Sequence, residues 1–214
     1  MEKKLNNLID KIKLLNDNQH YRFGDVIYHK GDYWRESTSY ILNNAIYDGS
    51  ILKEYILKSP NNNMNDFNVN YKQDIISIID NYKCDTLPDK NELVIHLRTG
   101  DVVNTPHFLK KQYYNIVKWY VINKKIKKCS FCTAFHYGNC IEKNKWIFND
   151  DKHKKNIKML KQLLYILLTN FKYITFDIKS SNNIDEDMCY MYKARYFEPD
   201  FGGFSKLIYQ LRNK

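Results

Sequence analysis

Glycine and proline are scarce in this chain. Of its 214 residues, 7 are Gly and 4 are Pro, which excludes a collagen-like repeat and a long Gly- or Pro-rich linker. Long apolar runs are missing too. The longest undiluted one is Leu163-Leu164-Tyr165-Ile166-Leu167-Leu168, far short of the roughly 18 residues of a membrane-spanning helix. Asp10, Lys11 and Lys13 interrupt the start, so the apolar core of a signal peptide is lacking and a cytoplasmic location is expected. Cysteine is sparse and odd in number, at positions 84, 129, 132, 140 and 189. Without an export signal that pattern points to reduced thiols rather than a disulfide framework. Arginine is the scarcest cation. Lys and Arg total 34, of which Arg22, Arg35, Arg98, Arg195 and Arg212 are the only Arg, leaving 34 − 5 = 29 Lys.

What is present is an ordinary globular composition, 43% hydrophobic and 27% charged, so a folded core is expected rather than disorder. The net charge of +10 raises the question of nucleic acid. The Lys residues are spread along the chain, however, and Asn, Ile and Tyr are abundant with them. All suit A/T-rich codons, which makes solvated Lys the expected reading over a nucleic-acid surface.

Apolar periodicity divides the chain near residue 90. Leu5, Leu8, Ile9, Ile12 and Leu15 predict a helix over residues 2–15. Residues 20–48 are aromatic and irregular, and residues 71–82 again have helical spacing. From residue 91 onward strands and helices alternate. Leu93-Val94-Ile95-His96-Leu97, Cys129 to Phe135, Tyr173-Ile174-Thr175-Phe176 and Tyr196-Phe197 read as strands. Residues 108–122, 157–168, 185–193 and 205–211 read as helices. This alternation predicts a parallel sheet with helices on both faces, whose ligands bind at the C-terminal ends of the strands. The expected organisation is a reduced N-terminal α/β region over residues 1–90 and a Rossmann-like domain over residues 91–214.

Two motifs stand at such strand ends. In His96-Leu97-Arg98-Thr99-Gly100-Asp101, Arg98 offers a planar fork suited to two phosphate oxygens. In a Lys-rich chain an Arg marks a geometric need that Lys does not meet. Gly100 permits a tight turn, and Asp101 is placed to orient Arg98. In Asp200-Phe201-Gly202-Gly203-Phe204-Ser205, a glycine pair before a helix lets backbone N–H groups and the helix dipole approach a phosphate. Gly202, Gly203, Phe204 and Ser205 are therefore candidate binding residues. Acidic residues at 185–187 open another helix; they serve as capping groups, or Asp187 accepts from a guanine edge.

Taken together, His96-Leu97-Arg98-Thr99-Gly100-Asp101 and, later, Asp187-x3-Met191-x2-Ala194 followed by Gly202-Gly203-Phe204-Ser205 resemble the GDP-fucose-dependent fucosyltransferase superfamily, over residues 92–212. The resemblance implies a GT-B-like pair of Rossmann-type domains, an inverting transfer and no required metal or cofactor beyond the GDP-fucose donor. It implies that Arg98 holds the β-phosphate, His96 contacts the nucleoside portion, Asp187 reads guanine, and Gly203 and Ser205 bind phosphate. Arg98 and Asp101 are the residues assigned to catalysis. The small size and A/T-rich composition resemble virus-encoded glycosyltransferases. The partners implied are the sugar nucleotide and a glycan or other hydroxyl acceptor, with no membrane span. Tyr33 and Trp34, beside His29, Asp32 and Arg35, suit the acceptor. For the base that takes the acceptor proton, Asp101, Asp32, His29 and Glu36 all qualify.

A rival motif is Cys129-x2-Cys132-x3-His136-x3-Cys140, close to a zinc knuckle. With the positive charge it would make a nucleic-acid-binding protein. The spacing on each side of His136 is one residue short, and the same cysteines fit a buried strand as small hydrophobes.

Overall fold

The structure is a computed structural model. It describes residues 1–14, 76–77, 79–104, 112–135, 137, 150–181, 184–200 and 203–213. The aromatic cluster around Tyr33 and Trp34, with His29, Asp32, Arg35 and Glu36, lies outside them, as do Gly202, His136 and Cys140.

Four parallel strands form the sheet: β1 (Glu92–His96), β2 (Lys128–Cys132), β3 (Thr175–Lys179) and β4 (Tyr196–Glu198). Their spatial order is β3-β2-β1-β4. The α/β class and the parallel sheet expected from the strand–helix alternation are present. Among the described residues, residues 76–77 and 79–81 are helical, the helices with defined bounds are α1 (Glu2–Ile9), α2 (Tyr113–Lys124), α3 (Asp150–Asn170), α4 (Ile184–Lys193) and α5 (Gly203–Arg212), and a 3-10 turn spans Asp101–Asn104. Leu93, Val94 and Ile95 are completely buried, as a central strand covered on both faces requires.

Register fixes what each face carries. Leu93 pairs with Cys129 and Cys129 with Phe176, while His96 pairs with Cys132 and Cys132 with Lys179. Leu93, Ile95, Cys129, Phe131, Phe176 and Ile178 point to one side, into a core completed by α1, α2 and α3. On α3, Leu160, Leu164, Leu167 and Leu168 recur at helical spacing and are buried. The opposite side is covered by α4, which packs on α5 and β1. Burying one Leu-sized side chain contributes about 1.5–3 kcal/mol, so these stripes rather than helix propensity hold α3 in place.

Boundaries moved where tertiary pairing competed with local pattern. The first helix stops at Ile9 instead of continuing to residue 15. Leu14 forms a parallel bridge with Phe135, and Lys13 accepts a hydrogen bond from the Phe135 N–H at 2.8 Å. A short amphipathic helix is marginal by itself, so its last turn yields to this pairing. Leu5, Leu8, Ile9 and Ile12 nonetheless join the core of the sheet. The third strand runs over Thr175–Lys179, two residues later than its apolar run suggests, and Tyr173 is 98% exposed. It lies at the edge of the sheet formed by the described residues, and Phe176 and Ile178 alternate with half-buried Asp177 and Lys179 instead of forming a continuous apolar run.

Candidate functional site

The strand order reverses between β1 and β4. The chain builds β2 and then β3 on one side of β1, then crosses back to place β4 on the other. In parallel α/β sheets such a reversal leaves a crevice at the C-terminal strand ends, because the loops leaving the two strands diverge to opposite faces. His96 and Arg98 leave β1 there, and Pro199 and Asp200 leave β4 there.

Side chains lock the two exits together. Asp200 Oδ2 accepts the Arg98 N–H at 2.8 Å, across 102 positions of sequence, and also the Tyr113 hydroxyl at 3.0 Å. Burial, reinforced by the Asp200 carboxylate, pushes the Tyr113 phenol well above its usual range and keeps it a donor. The Ser205 hydroxyl accepts the Asp200 N–H at 3.1 Å and is bonded to His96 Nδ1. Ser205 is itself fully buried. Its hydroxyl therefore fastens α5 to the end of β1 and to the Asp200 backbone. Gly203 opens that helix.

The loop after β1 is equally constrained. The Leu97 N–H reaches Cys132 O at 3.0 Å. The Thr99 hydroxyl bonds Ala134 O at 2.8 Å and Thr133 Oγ1 at 3.1 Å. Gly100 has φ 85°, in the left-handed region that glycine enters without steric cost. Both of its peptide groups are held by Asn156, whose Oδ1 accepts the Gly100 N–H at 3.1 Å and whose Nδ2 donates to Gly100 O at 3.2 Å. Asp101 opens the following 3-10 turn, and Val102 and Val103 pack against Met159.

Asp187 is on α4, 5% exposed, and its Oδ2 accepts the Ser181 N–H at 3.3 Å. The neighbouring Cys132 thiol is raised well above its usual value, by burial first and by the Asp187 carboxylate second. Asp187 thus supports the turn from β3 into α4. Phe204 lies in the first turn of α5.

Cys129 and Cys132 lie on opposite faces of β2, Cys129 in the core under α3 and Cys132 toward Asp187. Two such side chains diverge and do not meet at one ion within a zinc–sulfur bond of about 2.3 Å. Burial also raises the Cys129 thiol, against the thiolate a metal requires. Among the described residues no group of three or more His, Cys, Asp or Glu is gathered for a metal.

No known protein family, curated protein or solved structure matches the chain. The glycosyltransferase reading therefore rests on the motifs and on where they meet. Tyr113 and Asn156 were missed in the sequence. Tyr113 carried no signal. Asn156 did: it occupies the position four residues before Leu160 on the buried stripe of α3, where a polar side chain needs partners in the interior.

Beyond Asn156 the network reaches the Tyr137 hydroxyl, at 3.2 Å from Asn156 Nδ2 and 2.8 Å from His153 Nδ1. Burial pushes the Tyr137 phenol up to about 12, although the Asn156 bond pulls the other way. Burial lowers the His153 pKa, against the opposing pull of Asp150. The folded chain therefore keeps this ring neutral where the unfolded chain, titrating near about 6.5, already takes a proton. Its contribution to stability is present above that pH and is lost as pH falls through the lower, folded value. In melting-temperature profiles from pH 8 to 5, the unaltered chain is expected to fall more than His153→Gln. Parallel profiles would refute this.

Proposed function

We propose that the chain is a metal-independent glycosyltransferase that binds a nucleoside diphosphate sugar across the β1 and β4 exits. The donor proposed is GDP-linked, with fucose as the sugar, in a Rossmann-like half of a GT-B-like enzyme. The observation that carries this reading is the convergence of the two motifs: Arg98 and Ser205, distant in sequence, are tied through Asp200 where the order of the described strands reverses. A diphosphate there meets an Arg side chain from one strand exit and the N-terminus of a 10-residue helix from the other, two complementary sources of positive potential.

In this reaction the acceptor hydroxyl attacks the anomeric carbon, the bond from that carbon to the phosphate oxygen breaks, and GDP leaves. Arg98 and the α5 amides stabilise charge growing on the departing diphosphate. His96 borders the nucleoside side with its Nδ1 fixed by Ser205. Asp101 orients Arg98 or takes the acceptor proton. Asp187, buried, supports the base end of the site through the Ser181 turn.

A thermal-shift panel of GDP, UDP, CMP and short oligonucleotides at two salt concentrations tests the ligand class. GDP at about 100 times its dissociation constant is expected to stabilise the fold by roughly 2.7 kcal/mol, with EDTA making no difference. An oligonucleotide held by Lys alone would bind at low salt and be lost at physiological salt. Stabilisation by oligonucleotide and by no nucleoside diphosphate would overturn the proposal.

A further inference from the structure

We infer that Asn156 is a positioning residue for the nucleotide loop, fixing the Arg98 backbone for diphosphate through the Gly100 peptide. The inference rests on the proposed reading of that loop as the phosphate site. Three observations carry it. Asn156 is fully buried, and its carboxamide pairs with both the N–H and the C=O of one residue, at 3.1 and 3.2 Å. That two-point pairing leaves one orientation of the amide, since the reverse would set donor against donor. The peptide it grips belongs to Gly100, held at φ 85°, so the clamp acts where the backbone has most freedom to change direction. The residues before Gly100 are tied elsewhere, Thr99 to Ala134 O at 2.8 Å and the Arg98 N–H to Asp200 at 2.8 Å.

Arg98 thus sits in a short segment fastened by β2, by β4 and, through Asn156, by α3. Each fastening comes from a different element, and Asn156 holds the segment at the end where it turns into the 3-10 helix at Asp101–Asn104. The carboxamide is braced in turn by Lys152 O at 3.0 Å and by the Tyr137 hydroxyl at 3.2 Å. A loop fixed before ligand arrives does not have to be ordered on binding.

Asn156→Leu tests this. Leu is nearly isosteric with Asn, is neutral, and continues the Leu160 and Leu164 stripe, so the core is filled while both bonds to Gly100 are lost. Asn156→Ala is the second variant. Leu168→Ala, buried near the other end of α3, is the control for stability lost without touching the loop. GDP affinity is measured by calorimetry below each variant's melting range, and amide exchange is followed across residues 97–104. Both Asn156 variants are expected to lose exchange protection there and to bind GDP about tenfold or more weakly. Turnover should fall by about 10- to 100-fold, as misplaced catalytic groups do. Leu168→Ala should lower the melting temperature and change neither readout. If the unaltered chain binds GDP and the Asn156 variants match the Leu168 control, the inference is overturned and the nucleotide reading stands. If the unaltered chain does not bind GDP, both fall. Unfolding of both Asn156 variants would reduce the residue to a structural role and overturn the inference as well.

Discussion

Arg98→Lys is expected to weaken GDP binding by about 10- to 150-fold, the loss of one charge-assisted hydrogen bond of about 1.5–3 kcal/mol. Lysine keeps the charge but not the planar fork that meets two phosphate oxygens together. The loss in turnover should be larger than the loss in affinity, because charge on the leaving diphosphate grows toward the transition state. The melting temperature without ligand should hardly change. The Arg98 N–H bond to Asp200 is a backbone bond and survives the substitution, so the loop keeps its tie to β4. Lys127→Gln, on an exposed residue, should alter neither quantity. Calorimetry with GDP and a ligand-free melt decide the matter. Unchanged affinity in Arg98→Lys would remove Arg98 from the site, and loss of folding would make it a structural arginine.

The largest effect on stability is expected at the other end of β1. Glu92 is completely buried and accepts three hydrogen bonds: from the Tyr190 hydroxyl at 2.6 Å, from the Asp89 N–H at 2.8 Å and from Lys128 Nζ at 3.1 Å. Burial, then Glu92, raises the Tyr190 phenol, which remains protonated and donating. For Lys128, burial alone would lower the pKa, but the Glu92 bond and charge outweigh it and hold the ammonium charged. Breaking a buried ion pair from one side costs about 3–5 kcal/mol. Lys128 is 26% exposed and keeps Asp89 at 3.6 Å, so Glu92→Gln is expected to cost less, about 2–3 kcal/mol, with a melting temperature roughly 4–10 °C lower. GDP affinity should be unchanged, because Glu92 stands at the amino end of β1 and the proposed nucleotide site at its carboxyl end. A urea midpoint within error of the unaltered chain would show that the buried carboxylate contributes nothing, and a weakened GDP affinity would place it in the wrong role.

The rarity of arginine proved informative in a way the sequence left ambiguous. Arg212 is one of the five, and its guanidinium donates to Met191 O at 3.1 Å, to Tyr192 O and to Arg195 O at 3.4 Å while lying 5.5 Å over the Phe197 ring. It closes the end of α4, a place where orphan carbonyls need donors and a cation suits the helix dipole. A fork was needed there as well, for a structural purpose. Scarcity of Arg marks geometric need; it does not say whether the partner is a carbonyl of the same chain or a phosphate.

The sequence by itself determined the kind and order of the elements from residue 92 onward. Helical stripes such as Leu160, Leu164, Leu167 and Leu168, and apolar runs such as Leu93-Val94-Ile95, are local periodicities, and a local pattern is readable without the fold. It also determined that α/β alternation makes a parallel sheet, since each crossover must return over a face. Tertiary structure alone decided the order β3-β2-β1-β4, the opposed faces of Cys129 and Cys132, and the early end of α1. It alone brought Asp200 to Arg98, Asn156 to Gly100 and Tyr190 to Glu92. These pairs are separated by 102, 56 and 98 positions. Such buried polar groups take whatever partner packing sets within hydrogen-bond reach, and no nearest-neighbour pattern encodes a partner so far along the chain.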